Sequence, residues 1–329
     1  MRIAVIGATG LLGHHAARAT LERGHDLTVI HRRTSKLDKV DDLVFESAIA
    51  DLDDSSSVRS ALEGADAVIN CAAYYPTVPR PWRDEVETAT GQMKNFYDAC
   101  ADVQIGKVVY LGGAIALPGS PDGTPGHEGL EYSGPPKSTN PYVQVKWAMD
   151  SQAKEMAENG LPVTIGIPAM SFGEWDYGPT TGALLSGVAN RTIPGYIEGN
   201  RNVVYAGDAG RGLALAAESG AAGERYLFTG TNVSMGDLVA LMARVADVPM
   251  PRAIPLAVAR MAGAAQGLRY RLLGGALPTV SKTAIAVMSS GQFLDGSKAR
   301  EQLGYEAELD LEATIRRTLA WFREAGYVG

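Results

Sequence analysis

Tyr142 and Lys146 are the residues whose types and spacing point most directly to chemistry, standing four apart in Tyr-Val-Gln-Val-Lys. On a helix that spacing puts both side chains on one face. An ammonium beside a phenol favours the tyrosinate, so the pair could give or take a proton near neutral pH. The same spacing is also met as an ordinary exposed pair, so its surroundings decide its meaning. A second group lies at the start of the chain: Gly7, Gly10 and Gly13, at three-residue spacing in Gly-Ala-Thr-Gly-Leu-Leu-Gly. Such glycines allow a tight strand-to-helix turn, close approach of backbone to a pyrophosphate, and close packing of helix on strand. Thr9, Leu11 and Leu12 complete this turn. A helix opening at residue 11 would point free N–H groups and a positive dipole end at the phosphates.

The elements that must position these residues follow from the hydrophobic pattern. Short apolar, β-branched runs at 2–6, 27–30, 43–45, 67–70, 107–111 and 161–167 read as buried strands. Helical segments are expected at 11–22, 55–63, 83–101 and 142–159. Alternation of this kind predicts an α/β fold, a doubly wound parallel sheet of the Rossmann type. Beyond residue 171 the segments become short and glycine-interrupted, which predicts a smaller C-terminal substrate-binding lobe. The expected division is 1–171 for the dinucleotide-binding domain, with 202–223 returning to it, and 172–201 plus 224–329 for the lobe. The loop 112–140 is long and rich in Gly and Pro, a length usually kept for function.

Several loop residues fall where open α/β sheets bind ligands, at the carboxyl ends of the strands. After the second strand come His31, Arg32, Arg33, Thr34 and Ser35, with no acidic residue to accept from an adenine ribose. Arg32 and Arg33 suit a 2′-phosphate, which favours NADP(H) over NAD(H); a solvated basic loop is the plainer reading. After the fourth strand, the small residues Ala72 and Ala73 would admit the middle of the cofactor. Tyr74 and Tyr75 follow as candidate substrate contacts. Met170, Trp175 and the segment 172–177 bound the same expected pocket, and the tract 256–277 is a candidate apolar lid. These aromatic residues serve equally well as core joining the two lobes.

Composition removes other function classes. The formal charge of −7 carries no basic stripe for nucleic acid. Two cysteines, Cys71 and Cys100, and five scattered histidines offer no disulfide framework and no metal-ligand constellation. No secretory pattern precedes the first strand, and the longest apolar tract is broken by Arg260, Gln266, Arg269 and Arg271. A cytoplasmic protein acting on a small molecule, without a membrane span, is the expectation, and a homodimer is compatible with it.

Taken together, the glycine turn, the Tyr142–Lys146 pair and the stretches 201–208, 224–230 and 297–305 resemble the extended short-chain dehydrogenase/reductase superfamily. The likeness is greatest to its dihydroflavonol 4-reductase-like and nucleotide-sugar epimerase-like branch and covers nearly the whole chain. It implies that Asp51 and Leu52 contact the adenine, that Lys146 holds the nicotinamide ribose, and that Pro168 and Met170 lie against the nicotinamide. It also matches Arg201 to an arginine that many epimerases place on a substrate pyrophosphate. Two polar positions depart from the pattern. The usual serine or threonine after the fifth strand falls on Gly113, and the usual asparagine of the preceding helix falls on Ala89. Tyr74, Tyr75 and Ser171 are candidate substitutes for the missing donor. Three readings stay open: a reductase using NADPH with Tyr142 as proton donor, an epimerase or dehydratase holding NAD(P) tightly, and a dinucleotide-binding sensor without turnover.

Overall fold

The computed structural model describes residues 1–72, 74–76, 80–179, 181–263 and 291–329. Ala73, expected at the cofactor, lies outside the described residues, as does 264–277 of the expected lid; residues 256–263 are helical.

Strands β1 (Arg2–Ile6), β2 (Asp26–His31), β3 (Glu46–Ile49), β4 (Ala67–Asn70), β5 (Lys107–Leu111), β6 (Val163–Pro168) and β9 (Arg225–Phe228) form one seven-stranded sheet in the order β3-β2-β1-β4-β5-β6-β9. Every pairing in it is parallel. The carboxyl ends of all these strands therefore share one edge. Order reverses between β1 and β4, which leaves a crevice at that edge. A smaller sheet, β10-β8-β7, is built from β7 (Met170–Phe172), β8 (Asn200–Tyr205) and β10 (Thr231–Ser234).

Helices cover both faces of the large sheet. On one face α2 (Ser55–Leu62), α3 (Trp82–Asp102) and α4 (Pro141–Glu158) bury Leu62, Ala89, Phe96, Val145 and Met149 against Val68, Val108 and Ile165. On the other, α1 (Leu11–Glu22), α6 (Ala206–Ser219) and α8 (Ser297–Leu303) bury Ala16, Leu213 and Ala299 against Val5, Ile69 and Val109. The strands between them read as unbroken apolar runs because both faces are covered. The third core gathers α5 (Gly182–Ala189), α7 (Met235–Ala246) and α9 (Leu311–Glu324) around Phe172, Leu238 and Phe322.

Two boundaries differ from expectation. The third strand is Glu46–Ile49, not 43–45. Leu43 is buried as a plug beneath the sheet, while Val44 is 84% exposed, so the apolar run marks a turn. The edge strand that follows is mostly exposed and needs no apolar run of its own. The return to the large domain also extends past 202–223, because β9 pairs with β6 and α8 packs on α6. Conversely β8 belongs to the small sheet.

Candidate active site

The glycine turn is a cradle that side chains would fill. Gly7 has φ +84°, and a Cβ there would lie 2.9 Å from the Ala72 nitrogen. At Gly13 a Cβ would come within 2.1 Å of the Gly7 carbonyl oxygen. Gly10 is exposed, caps α1 without a side-chain bond, and donates its own N–H to Gly7 O at 3.1 Å. Thr9, Leu11 and Leu12 are half-buried around it. Across the crevice, Asn70 Oδ1 accepts from the Ala72 N–H at 3.0 Å and fixes the end of β4. The site thus meets what a dinucleotide needs: bare backbone, a helix N-terminus and a crevice at the switch point.

Further along this edge, Arg32 and Arg33 are exposed after β2. Ser35 Oγ accepts from the Arg32 backbone N–H at 3.2 Å, shaping the loop. Asp51, exposed, takes the Asp53 N–H on Oδ1 at 3.1 Å, and the Leu52 carbonyl receives Asn95 Nδ2 at 2.9 Å. Pro168 closes β6, opposite Phe228, and half-buried Met170 opens β7.

Tyr142 and Lys146 stand in the first two turns of α4. The helix starts where it does because Asn140 Oδ1 accepts the Tyr142 N–H at 2.9 Å and Pro141 occupies the first position. That Asn-Pro signal was present in the sequence and unused. Lys146 is buried, and its methylenes lie under Gly113, where a Cβ would meet Cδ at 3.7 Å. Burial lowers the Lys146 ammonium to about 8. Burial, with Tyr75 adding to it, pushes the Tyr142 phenol up to about 12. The expected drift toward tyrosinate is thus corrected: desolvation is the leading effect on Tyr142, and the phenol keeps its proton at neutral pH.

With this geometry in place, the matches to known proteins have a clear meaning. The model of the NAD dependent epimerase/dehydratase family matches residues 3–228. This chain belongs to that family. It is similar, at 43% identity and TM-score 0.88 over 100% of this chain and 99% of the other, to the structure of a nucleoside-diphosphate-sugar epimerase from Pseudomonas aeruginosa. It is 29% identical to sterol demethylase protein B of Methylococcus capsulatus over 100% of both chains. It is 25% identical to a putative dihydroflavonol 4-reductase of Synechocystis over 98% of this chain and 95% of the other. The resemblance read from the sequence motifs holds, and NAD(P) is the nucleotide cofactor of this family.

The substrate side of this epimerase/dehydratase-family member departs from expectation in several places. Tyr75 does stand by Tyr142, its ring 5.0 Å from that of Tyr142, and it is 48% exposed. Tyr74 turns away: its hydroxyl donates to Glu85 Oε2, so it is not a free donor in place of the missing hydroxyl at Gly113. Ser171 donates to the Ala169 carbonyl at 2.9 Å and is likewise engaged. Trp175 is corrected more fully. It stacks on His14 at 4.5 Å and 9° and lies 4.5 Å from the Arg18 guanidinium, on the α1 face of the sheet rather than the α4 face. Its aromatic surface covers two histidines of α1 that amphipathic spacing left buried. Arg201 is buried beneath Gly291 and donates to the Asn200 carbonyl at 2.6 Å; desolvation lowers its pKa.

One residue at this edge was missed. Glu85, in the first turn of α3, is 1% exposed. With Ala89, Met93 and Phe96 it lies on the inward face of the helix, a position the sequence pattern would reserve for an apolar residue. A charged residue interrupting an otherwise apolar stripe was the available signal.

The long loop 112–140 is pinned along its length. Glu128 Oε1 accepts the Leu227 N–H at 2.8 Å, and Gln144 Nε2 donates to the Pro136 carbonyl at 2.6 Å. Arg225 donates to Glu131 at 2.8 Å and, at 3.1 Å, to the buried Asp150 of α4. Among the described residues, no cluster of His, Cys, Asp and Glu is arranged to hold a metal ion, and no helix is long and apolar enough to cross a membrane.

Proposed function

We propose that this protein is an NADP(H)-dependent reductase of an aromatic or otherwise apolar ketone or aldehyde, with Tyr142 as the proton donor. The observation that carries the reading is the placement of half-buried Tyr142 and buried Lys146 one turn apart at the start of α4, with the Tyr75 ring 5.0 Å from that of Tyr142 and the Lys146 methylenes under Gly113. A bound reduced nicotinamide would supply the hydride. Tyr142 then gives its hydroxyl proton to the carbonyl oxygen, so that hydride and proton together make the alcohol. Lys146 holds the ribose of the cofactor and keeps positive charge near the developing alkoxide. Arg32 and Arg33, exposed and the first two residues after β2, would take a 2′-phosphate. Tyr75 and Met170 give the substrate side an apolar character, and two full-length relatives are named for sterol and dihydroflavonol chemistry.

A second reading is nucleotide-sugar epimerisation, favoured by the 43% identity to the Pseudomonas protein. Against it, Arg201 is buried and already donates to a backbone carbonyl, which leaves it a poor anchor for a diphosphate.

The test has two parts. Titration with both cofactors should show NADPH at least about tenfold tighter than NADH. Tyr142→Phe should abolish reduction of a carbonyl panel while cofactor affinity holds; Lys146→Met should damage both. Turnover of a nucleotide-sugar with no reduction of any carbonyl compound would decide for the epimerase.

A further inference from the structure

The helical segment 256–263, expected as part of an apolar lid, turns an apolar side outward. Ala257, Val258, Met261 and Ala262 are exposed, and their spacing puts them on one face. Val258 is 48% and Met261 66% exposed. The opposite side holds the segment to the protein: Ala259 packs with Ile197, and Ile254 and Leu256 pack against that pair. Met250, shortly before it, is exposed as well. Three of the seven exposed large apolar residues among the described residues thus fall within 250–261. Single apolar residues at a surface need no account, whereas several gathered on one helix face do.

The charge around this face is opposite to that of the whole protein. The chain carries −7, yet from Val248 to Leu294 the sequence has no Asp or Glu and five basic residues. Two of these, Arg252 and Arg260, are exposed, and the helical spacing sets Arg260 on the rim of the apolar face. Neither has a carboxylate partner among the described residues. Elsewhere on the surface Arg244, Arg300 and Arg316 each hold one. An apolar face rimmed by unpaired arginines and free of acid complements a bilayer with anionic headgroups. Its apolar atoms enter the acyl boundary while the guanidinium groups meet phosphate. A symmetric pairing of two copies through this face would instead set arginine against arginine.

We propose that the face formed by Ala257, Val258, Met261 and Ala262 seats this protein on an anionic membrane surface. The segment lies in the headgroup layer and does not cross it, in keeping with the absence of any spanning helix among the described residues. This surface role stands whichever reaction the site catalyses.

The test sediments the full chain with vesicles of phosphatidylcholine alone and of phosphatidylcholine with about 30% phosphatidylglycerol. The anionic vesicles should bind at least about tenfold more tightly, and raising salt from about 0.05 M to about 0.5 M should remove most of that advantage. Arg252→Gln combined with Arg260→Gln should weaken binding about tenfold or more. Val258→Glu combined with Met261→Glu should abolish it, by removing apolar area and adding repulsion. All four positions are exposed, so the melting temperature should hold; if the glutamate variant does not fold, the arginine variant decides. A polarity-sensitive dye on Met261→Cys, read above the wild-type background, should shift to the blue with anionic vesicles. The same dye on Val44→Cys should not, because Val44, though 84% exposed, is flanked in sequence by Asp41, Asp42 and Glu46. No binding to either vesicle, equal binding to both, binding unchanged in the variants, or the same dye shift at both cysteines overturns the inference. Self-association that the glutamate variant disrupts, without vesicle binding, gives the face to a second copy and overturns it too.

Discussion

Two glycine-containing turns sit at the same edge of the large sheet, after β1 and after β5, and they are glycine for different reasons. After β1, a Cβ at Gly13 would stand 2.1 Å from a backbone oxygen, and Gly7 adopts φ +84°. After β5, Gly113 has an extended φ of −154°, and its nearest obstacle to a Cβ is a flexible lysine methylene at 3.7 Å. Gly7 and Gly13 of the first turn are glycine because backbone packs on backbone. The second has room for a side chain. Packing therefore does not account for the missing hydroxyl at Gly113, whereas it accounts for Gly7 and Gly13 of the turn after β1.

The sharpest way to break this contrast is Gly13→Ala. Its methyl group can be accommodated only by moving α1 off β1, at a cost of about 3 kcal/mol or more. Denaturant unfolding and cofactor titration should show both the stability loss and at least about hundredfold weaker binding. A variant that keeps both would mean the turn is not sterically obliged.

An intermediate effect is expected from pH. Lys146, held at about 8, is charged below that value and neutral above it, while Tyr142, at about 12, keeps its proton throughout. Thus kcat/KM should be level up to about pH 8 and fall above it, and Lys146→Arg should move that limb upward. Stability of the cofactor-free protein runs the other way. Between about 8 and the ordinary lysine value of 10.5 the unfolded chain binds more protons than the folded one, so stability rises with pH across that window. Melts at pH 7 and 10 check this second sign.

The smallest change in stability should come from Gly113→Ser, within about 1 kcal/mol, since the site is open and φ is ordinary. Its effect on rate is the informative part. A hydroxyl placed there should raise kcat on a carbonyl substrate, up to the hundredfold or so that a single oxyanion donor is worth. A lowered kcat with unchanged stability would show that the bare glycine accommodates the substrate itself.

The sequence made the sheet and the cofactor half readable because they rest on local rules: apolar runs, the spacing of Gly7, Gly10 and Gly13, and the i, i+4 pair on α4. Edge strand β3 escaped because it is mostly solvated and carries no apolar run. The substrate half depends on contacts distant in sequence. Trp175 meets α1 across some 160 residues of chain, a contact no local pattern encodes. The Tyr74–Glu85 bond joins a loop to a helix eleven residues later, through a charge that periodicity would assign to solvent. The state of the Tyr142 proton was misjudged because the desolvation that raises its pKa is invisible in the sequence.

The clamp between Arg225 and Asp150 has a consequence for synthesis. Its partners are separated by 75 residues, and Asp150 lies on the helix that carries Tyr142 and Lys146. While the chain is being made, α4 cannot bury Asp150 with its charge neutralised until Arg225 has left the ribosome. At about 5–20 residues per second, that is a wait of about 4–15 s. During this interval β6 also lacks its outer neighbour β9, so an open sheet edge is presented beside an unfinished helix. Maturation of α4 is in this way timed by a strand translated well after it.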